Sequence, residues 1–381
     1  MNDTIIHTLI NNRGGKGVPP SFEDAVSSLA DKKIIIYGAG AFGKETFSDL
    51  QKNKIDIFAF LDKNARPGQT IGTTPVYLPD YESFIGSKKR KDMTIILAIV
   101  LTEPPRKEII SYLHDLGYRD IIDAQTLRAM RVPYSCEKRE PEPDELFAER
   151  ENILAALSLM ADDHSRDIFT SSLKSHFSRE YNHSRESFAT TQYFDPGLPR
   201  KMKLSRFIDC GAYSGDTLET LARRGELKVY AGFEPGRKSY ELLSQTADRL
   251  KGNIECSLFP CAVSDYSGTA KFNDIAGSGA MNGSGTEPIP VVRLDDALKN
   301  FAPTMVKMDI EGEEFHALKG AQKMIAHYKP DLAICVYHYI SDYWRIPVLI
   351  NSWDLGYEFY LRAHSSATME TVLYAISKGG S

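Results

Sequence analysis

The run Phe207-Ile208-Asp209-Cys210-Gly211-Ala212-Tyr213-Ser214-Gly215-Asp216-Thr217 decides the fold of the C-terminal half of this 381-residue chain. An apolar stretch ends in an acid, a Gly-x-x-x-Gly turn follows, and helix-forming sequence begins after it. A second apolar stretch ends at Phe233-Glu234-Pro235, with its acid 25 residues after Asp209. Glycines let the backbone approach a ligand, and a helix start offers free N–H groups. The pattern predicts an open α/β sheet with a nucleoside site at the carboxyl ends of its strands.

The two acids and the glycine spacing indicate which cofactor to expect. Glu234 has the type and place to accept both hydroxyls of a ribose, and Asp209 lies where it can approach a ligand ammonium group. The turn lacks the Gly-x-Gly-x-x-Gly of a dinucleotide fold, so we predict S-adenosylmethionine rather than NAD. For Asp216, simple capping of the helix is an equal alternative. The contacts predicted here are Asp209, Gly211, Ala212, Tyr213, Gly215, Asp216, Glu234 and Pro235.

Length and composition bound the class of protein. A chain of 381 residues with 42% apolar and 25% charged residues is typical of a soluble protein of two or three domains. The net charge of −5 shows no basic excess, so nucleic acid is not an expected partner. The N-terminus shows no secretory signal, and the most apolar run, 95–101, is too short to cross a bilayer. Because the five cysteines form no Cys-x-x-Cys pair, we predict reduced thiols and a cytoplasmic, membrane-free location.

Strand and helix patterns alternate in two separate regions, which predicts two Rossmann-like α/β units in tandem. The predicted segments are an N-terminal extension (1–30), a first unit (31–129), a helical connector (130–200) and a second unit (201–381). Strands of the second unit are predicted at 206–210, 229–233, 254–259, 305–309 and 332–337. An antiparallel hairpin from 357–362 and 371–375 follows them. The fold class is therefore α/β, with two Rossmann-like units in tandem, and the seven strands predicted for the second unit resemble the sheet of class I methyltransferases.

The first unit carries its own nucleotide-binding pattern. Gly38, Gly40 and Gly43 form Gly-x-Gly-x-x-Gly after a predicted strand, and Asp62 follows the next strand. This spacing predicts a nucleotide or sugar-nucleotide site at these four residues. The alternative is a scaffold that keeps the tight turn and binds nothing.

The strand before Gly312 carries the candidate catalytic acids. Strand alternation places Lys307, Asp309 and Glu311 on one side, where buried charges are costly unless paired or functional. Asp309 and Glu311 are candidates for the group that deprotonates or positions an acceptor hydroxyl. Asp309 is also predicted to contact the cofactor. The alternative is a buried Lys–Asp pair with a helix-capping Glu.

His338 follows the fifth strand of the second unit. It is the third catalytic candidate because its unperturbed pKa of about 6.5 suits a base. A satisfied structural histidine is the alternative. No spacing of His, Asp and Glu predicts a metal site, and convergence of Asp309, Glu311 and His338 on a divalent ion is the weaker alternative.

A third segment is predicted to lie beside the cofactor's adenine. Ala262, Val263 and Asp265 follow the third strand, and Asp265 could accept from the adenine amino group. A turn-starting role for Asp265 is an even alternative.

The C-terminal half resembles the FkbM family of S-adenosylmethionine-dependent methyltransferases over about 200–376. The resemblance implies methyl transfer to oxygen, often on sugars of glycans, glycolipids or secondary metabolites. Two positions depart from the family: Tyr213 stands where Asn is common, and His338 follows a strand after which many members carry an acid. The matching motifs are 208–212 with 215–216, 233–235, 261–265 with 268, 294–296, 307–312 and 318–321.

The first unit resembles, more loosely, the sugar-nucleotide-binding domain of PglD-type sugar acyltransferases. The resemblance covers about 31–125 and implies that a nucleotide-linked sugar docks there. It rests on 37–40, 60–62, Gly68, 72–76 and Arg106.

The function expected from these patterns is O-methylation of a sugar, glycan precursor or related metabolite. The expected partners are a small-molecule or glycan acceptor and a sugar nucleotide at the first unit, with a homo-oligomer left open. The rivals are a nicotinamide-dependent sugar-nucleotide oxidoreductase or epimerase and a non-catalytic sugar-nucleotide-binding protein. Against the oxidoreductase, Tyr112 is followed by Asp115 and Leu116 rather than by the Lys of a Tyr-x-x-x-Lys pair.

Overall fold

The computed structural model describes residues 29, 32–80, 87–99, 105–124, 148–178, 192–250, 252, 254–273, 280–281, 287–364 and 370–377. Most of the predicted 1–30 extension and much of the predicted connector lie outside these ranges. Strands and helices alternate in two series, as the sequence predicts.

The N-terminal series forms a six-stranded sheet. Its elements are β1 (Lys33–Tyr37), α1 (Ala41–Lys52), β2 (Ile57–Leu61), β3 (Thr70–Ile71), β4 (Thr74–Tyr77), a 3-10 helix (Ser87–Asp92), β5 (Met93–Leu97), α2 (Pro105–Asp115) and β6 (Asp120–Asp123). The strand order is β3-β4-β2-β1-β5-β6, and only the β3–β4 pair is antiparallel. Apolar cores lie on both sides of the sheet, one including Phe47 of α1 and the other Leu113 of α2. The apolar run of β1 is buried between them, as is typical of a parallel strand.

The C-terminal series contains the strands and helices of the second unit. Its elements are β7 (Arg206–Cys210), α5 (Asp216–Arg224), β8 (Val229–Phe233), α6 (Arg237–Arg249), β9 (Glu255–Phe259), β10 (Ala262–Val263), β11 (Gly268–Asn273), β12 (Ala280–Met281), β13 (Glu287–Val292), α7 (Leu294–Ala297), β14 (Met305–Met308), α8 (Glu314–Gly320), α9 (Gln322–Tyr328), β15 (Asp331–Cys335), α10 (Asp342–Ser352), β16 (Tyr357–Ala363) and β17 (Thr371–Ser377). Helices α3 (Arg150–Leu159) and α4 (Asp163–Ser178) precede them.

Seven of these strands form one sheet in the order β16-β17-β15-β14-β7-β8-β9. Its first five strands in the chain are parallel, and β17 pairs antiparallel with both β15 and β16. This confirms the predicted α/β class and the C-terminal hairpin. The chain order reverses between β7 and β14, so the carboxyl ends of these strands form a crevice, where such sheets bind ligands.

A smaller sheet, absent from the sequence prediction, follows β9. Its four strands are ordered β10-β13-β11-β12. β13 has the sequence EPIPVV, whose two prolines weaken a strand prediction. Tertiary pairing forms this strand nevertheless, because its Ile289 and Val291 pack against Phe272 and Ala262 in a small core.

The described helices of the predicted connector pack against the seven-stranded sheet. Ile153 and Leu157 of α3 and Phe169 of α4 share one core with Trp344 of α10 and Phe359 of β16. These residues therefore cover part of the seven-stranded sheet of the second unit.

The predicted boundaries are exact for 206–210 and 229–233 and differ by one or two residues for the other strands of the seven-stranded sheet. β14 ends at Met308 rather than at 309, and β15 covers Asp331–Cys335 rather than 332–337. A strand ends where its backbone hydrogen bonds to the neighbouring strand stop, and the pattern of apolar residues does not show where that is. Within the described ranges no helix is long and apolar enough to cross a membrane. Cys210, Cys256, Cys261 and Cys335 are free thiols.

Candidate active site

A cavity of about 300 Å³ opens at the carboxyl ends of β7, β8 and β14. This is the lower end of the volume range of small-molecule sites. Six lining residues are carboxylates, and Lys307 is the only basic residue among the lining residues that the structure describes. The lining residues are Gln192, Tyr193, Gly211, Tyr213, Asp216, Thr217, Phe233, Glu234, Pro235, Ser239, Cys261, Ala262, Val263, Phe272, Lys307, Asp309, Ile310, Glu311, Glu313, Tyr337 and Glu370.

The first turn of the site requires glycine at position 211. Gly211 has φ +79°, and a Cβ there would lie 1.9 Å from the backbone oxygen of Asp309. No larger residue fits without moving β14. The turn therefore brings two backbone segments together at the floor of the cavity, as close ligand approach demands.

Glu234 connects the ends of β7 and β8. Its Oε2 accepts from the backbone N–H of Tyr213 at 2.9 Å, and its Oε1 accepts from that of Gly236 at 2.7 Å. Burial raises the pKa of Glu234, although these two hydrogen bonds and Lys307 partly oppose the shift. A carboxylate has about four acceptor sites, so both oxygens can accept further hydrogen bonds from a ligand.

Asp209 lies beneath the cavity and is paired within the protein. The sheet register places Asp209 opposite Lys307, whose Nζ lies 2.9 Å from Oδ1. Tyr230 donates to Oδ2 at 2.7 Å. Burial disfavours the charged lysine, but Asp209 and Asp309 outweigh this effect and raise the pKa of Lys307. The buried Lys–Asp pair that the sequence analysis kept as an alternative is thus present, with Asp209 rather than Asp309 as the partner.

Lys307 also fixes the first turn. Its Nζ donates to the backbone oxygen of Gly211 at 2.6 Å. One buried cation therefore joins the central strand, the first acid and the glycine turn.

Asp309 presents its carboxylate to the cavity just after the end of β14. Tyr193 donates to Oδ2 at 2.7 Å, and Tyr337 donates to Oδ1 at 3.0 Å. Burial raises the pKa of Asp309, but Lys307, His338 and the two phenol hydrogen bonds outweigh it, so the net shift is downward. Asp309 is therefore an ionised carboxylate that two phenol groups keep in one orientation, and it is suited to orienting a hydroxyl.

His338 is surrounded by carboxylates. Its Nδ1 lies 2.9 Å from Glu314 Oε1, and its Nε2 lies 3.5 Å from Asp309 Oδ1 and 3.6 Å from Glu311 Oε2. Burial would lower the pKa of His338, but these three acids raise it to about 10. Such a histidine is protonated at neutral pH, which does not favour the role of a base that its unperturbed pKa suggested.

Residues 209–359 match the family model of the methyltransferase FkbM domain. We refer to residues 209–359, which are similar to that methyltransferase domain, as the FkbM domain. A solved FkbM methyltransferase from Methylobacillus flagellatus KT is similar in structure over 98% of this chain and 99% of that one, with a TM-score of 0.72. The sequence identity is 21%, so this likeness shows the fold alone.

Two other solved structures resemble the chain only weakly. A putative rRNA methylase from Clostridium thermocellum covers 47% of this chain and 90% of its own, at 10% identity and a TM-score of 0.31. A Pyrococcus abyssi tRNA (uracil-54, C5)-methyltransferase in complex with S-adenosyl-L-homocysteine matches 46% of this chain and 34% of its own chain. The sequence identity is 14% and the TM-score is 0.26. No curated protein matches the chain.

The FkbM domain brings most predicted cofactor contacts to the cavity. Gly211, Tyr213, Asp216, Glu234, Pro235, Ala262, Val263 and Asp309 all line it. Ala212 and Gly215 lie in the first turn without lining the cavity, and the Ala212 N–H donates to Phe233 at 3.0 Å. These contacts stay predictions until a ligand is bound.

Asp265 is not among the residues that line the cavity. Its Oδ2 is 3.0 Å from His316 Nδ1 and 3.4 Å from Lys319 Nζ. The carboxylate thus ties the loop after β10 to α8. This arrangement gives no support to the predicted contact with adenine.

Among the cavity residues that the sequence analysis did not select are Gln192, Tyr193, Tyr337 and Glu370. Tyr193 is 116 residues from Asp309 in the chain and lies in a segment without periodic pattern. Tyr337 lies next to His338 just after β15, so the same sequence pattern that placed His338 at the crevice could have predicted Tyr337 there. Glu370 immediately precedes β17, where the hairpin brings it back to the cavity.

The turn of the first unit is as tight as its sequence predicts. Gly38 has φ +110°, and a Cβ on Gly43 would lie 1.9 Å from the Gly38 backbone oxygen. Asp62 accepts from the backbone N–H groups of Ala39 and Asn64, each at 2.8 Å. Asp62 therefore braces the turn itself. The predicted binding of a nucleotide or sugar nucleotide by Asp62, Gly38, Gly40 and Gly43 stays a prediction. The likeness to the PglD-type domain is unconfirmed.

We expect Gly43→Ala to destabilise the first unit and to leave the FkbM domain intact. The new methyl group would force Gly38 away from α1, at a cost of about 1–3 kcal/mol for overpacking. Differential scanning calorimetry should show one transition moving to lower temperature while binding of S-adenosylhomocysteine stays unchanged. Loss of both together would contradict the predicted division into two domains.

Proposed function

We propose that this methyltransferase uses S-adenosylmethionine to methylate a hydroxyl group of a sugar, a glycan precursor or a related metabolite. The observation that carries the proposal is the carboxylate-rich cavity that contains Glu234 at the carboxyl ends of β7, β8 and β14. The FkbM domain supplies the methyl-transfer chemistry.

The charge of the cavity favours a cationic cofactor. Among the described lining residues Lys307 is the single basic one, and the acids that face it across the cavity are Asp216, Glu234, Asp309, Glu311, Glu313 and Glu370. S-adenosylmethionine carries a sulfonium and an ammonium group, whereas NAD carries two negative phosphates. The carboxylates attract the two cationic groups and repel the phosphates. The cavity therefore supports the methyl donor over the nicotinamide rival.

The residues of the chain fit the parts of this cofactor. Glu234 would accept the ribose hydroxyls, because its oxygens keep free acceptor sites beside their backbone hydrogen bonds. Phe233 and Val263 line the cavity with apolar surface suited to a base. When bound, the cofactor supplies a methyl group on a sulfonium, and the bonding electrons stay with sulfur as the methyl leaves.

Asp309 is the residue proposed to orient the acceptor. Tyr193 and Tyr337 restrain its carboxylate from two sides, so it is held in place before the acceptor arrives. A hydroxyl held in this way points an oxygen lone pair at the methyl group that is transferred. In such a displacement, correct positioning of the two reactants supplies much of the rate enhancement. The hydroxyl proton leaves to Asp309 or to water as the new C–O bond forms.

The polar lining also supports a hydroxylated, uncharged acceptor. Gln192, Tyr193, Tyr337 and Glu370 offer amide, phenol and carboxylate groups on one side of the cavity. Such groups pair with sugar hydroxyls. The same carboxylates disfavour an acceptor whose phosphate groups enter the cavity.

We expect Glu234→Ala to weaken binding of S-adenosylhomocysteine by about 10- to 100-fold. Loss of two hydrogen bonds to an ionised carboxylate costs about 1.5–3 kcal/mol each, part of which water replaces. Isothermal titration calorimetry measures the change. Glu241→Ala is the matched control, because Glu241 lies on α6 and forms an exposed ion pair with Arg237.

The same measurement separates the rival functions. Thermal shifts with S-adenosylhomocysteine, NAD and a uridine-diphosphate sugar show which ligand stabilises the wild-type protein, by about 2.7 kcal/mol at a hundred times its dissociation constant. Stabilisation by NAD or the sugar nucleotide alone would overturn the proposal. Cofactor binding without methyl transfer to any glycan or sugar would favour a non-catalytic binding protein.

A further inference from the structure

We propose that the ring of Tyr213 contacts the sulfonium group of the bound methyl donor and makes the site prefer S-adenosylmethionine over its product, S-adenosylhomocysteine. The two ligands differ at the sulfur, which is positively charged in the donor and neutral in the product. The inference rests on the proposed function for the identity of the cofactor. It goes beyond the contact predicted from the glycine turn, because it names the part of the cofactor and the interaction that holds it.

Backbone strain is concentrated at the cavity. Seven residues other than glycine have a positive φ in the described part of the chain. Three of them, Lys54, Lys329 and Asp354, follow the C-terminal ends of α1, α9 and α10, where the left-handed region is common. Unfavourable backbone geometry away from such helix ends tends to collect at functional sites. The other four residues all line the cavity, and they are Tyr193, Tyr213, Glu311 and Glu370.

Tyr213 pays the clearest conformational cost of the four. Its φ is +45°, in a region that bulky side chains rarely adopt and that Gly or Asn adopts more readily. Gly or Asn would therefore form the same turn with less strain. The tyrosine at this position indicates that its ring has a role of its own.

The ring of Tyr213 is also the one most accessible to a ligand. Tyr213 is 45% exposed, whereas the other aromatic residues among the described lining residues are buried or partly buried. The ring of Tyr193 already faces Lys307, whose Nζ lies 5.1 Å from the ring centroid. Phe233 is fully buried, and its ring stacks on that of Phe259. Tyr213 therefore offers an aromatic face at the opening of the cavity.

The turn that carries Tyr213 spans the place where the transferred methyl group has to lie. At one end of the turn, Gly211 packs against the backbone oxygen of Asp309, the residue proposed to orient the acceptor. Further along, the backbone N–H of Tyr213 donates to Glu234, the residue proposed to hold the ribose. The sulfur of the cofactor is joined to the ribose through a single carbon and faces the acceptor. It therefore lies between these two carboxylates, within reach of the Tyr213 ring.

A sulfonium is suited to the face of an aromatic ring. The π-electrons make this face negative, and a cation within about 6 Å of the ring centroid is attracted to it. The carboxylates of the cavity act on the whole cofactor, including the ammonium group that donor and product share. The ring adds an attraction that acts at short range on the charged sulfur. Methyl transfer leaves the sulfur neutral, so this attraction ends with the reaction and the product binds less tightly than the donor.

The test compares two substitutions that keep the strained backbone and differ in the ring. Tyr213→Phe keeps an aromatic face, and Tyr213→Leu replaces it with an aliphatic group. Isothermal titration calorimetry on the full-length protein measures the dissociation constants of S-adenosylmethionine and S-adenosylhomocysteine. We expect the preference for the donor, given by the ratio of these constants, to stay within about twofold in Tyr213→Phe and to fall by about 3- to 30-fold in Tyr213→Leu.

The controls separate the ring from exposure, from the methyl group and from folding. Tyr266→Leu should leave the ratio unchanged, because Tyr266 is 43% exposed and is not among the residues that line the cavity. Sinefungin, which carries an amine in place of the methylated sulfur, should lose affinity in Tyr213→Leu as S-adenosylmethionine does. Tyr213→Asn should lose the preference for the donor and unfold at a temperature no lower than that of the wild-type protein.

Three outcomes would overturn the role of Tyr213 and leave the proposed function standing, because S-adenosylhomocysteine binding is assigned to Glu234. They are an unchanged ratio in Tyr213→Leu, an equal fall in Tyr266→Leu, or an equal loss of affinity for donor and product. A wild-type protein that binds neither ligand would overturn the proposed function and the role of Tyr213 together.

Discussion

Asp309→Asn is expected to lower methyl transfer by about 10²- to 10⁴-fold, the usual range for loss of a positioned acid or base. The substitution removes a charge and keeps the shape, but only one of Tyr193 and Tyr337 still finds an oxygen to donate to, because the second carboxylate oxygen becomes an amide NH2 group. What disappears is the carboxylate that orients the acceptor hydroxyl. Transfer of a labelled methyl group to an acceptor of the wild-type protein measures the loss.

The control for this prediction is cofactor affinity. S-adenosylhomocysteine should bind Asp309→Asn within about twofold of wild type, because the ribose contacts are assigned to Glu234. Tyr337→Phe, which removes one of the two hydrogen bonds to Asp309, should show a smaller loss of turnover. Equal turnover in wild type and Asp309→Asn would end the assignment of Asp309 to the acceptor.

Lys307→Met is expected to destabilise the FkbM domain by about 3–5 kcal/mol, the cost of breaking a buried ion pair from one side. Asp209 is 0% exposed and would keep only its hydrogen bond from Tyr230. The same change removes the donor to the Gly211 carbonyl. The midpoint temperature of thermal unfolding should fall by roughly 6–20 °C for a unit of this size.

Two further variants separate charge from packing. Lys201→Met removes a lysine whose exposed pair with Glu226 is 3.6 Å long, and it should change stability by no more than about 0.5 kcal/mol. Lys307→Met combined with Asp209→Asn should recover part of the lost stability, because the uncompensated charge is gone. A loss for Lys307→Met no larger than that for Lys201→Met would show that the pair is not buried in solution.

The strands of the second unit could be predicted because parallel strands are buried on both faces. Such strands show as short apolar runs, and 206–210 and 229–233 were placed to the residue. The acids that end these runs were predictable for the same reason, since a polar residue after a buried strand marks the edge of the sheet. Glu234 and Asp309 therefore reached the cavity as the pattern predicts.

The sequence by itself determined the order of the strands, the two glycine turns and the acids that follow the strands, because these are local patterns. Only the tertiary structure decided which charges pair. Lys307 meets Asp209 through the register of β14 and β7, and Tyr193 reaches Asp309 across 116 residues. It also decided the state of His338, since an unperturbed pKa of about 6.5 says nothing of three acids converging on one ring. Pairing and protonation depend on distance and burial, and a local pattern contains neither.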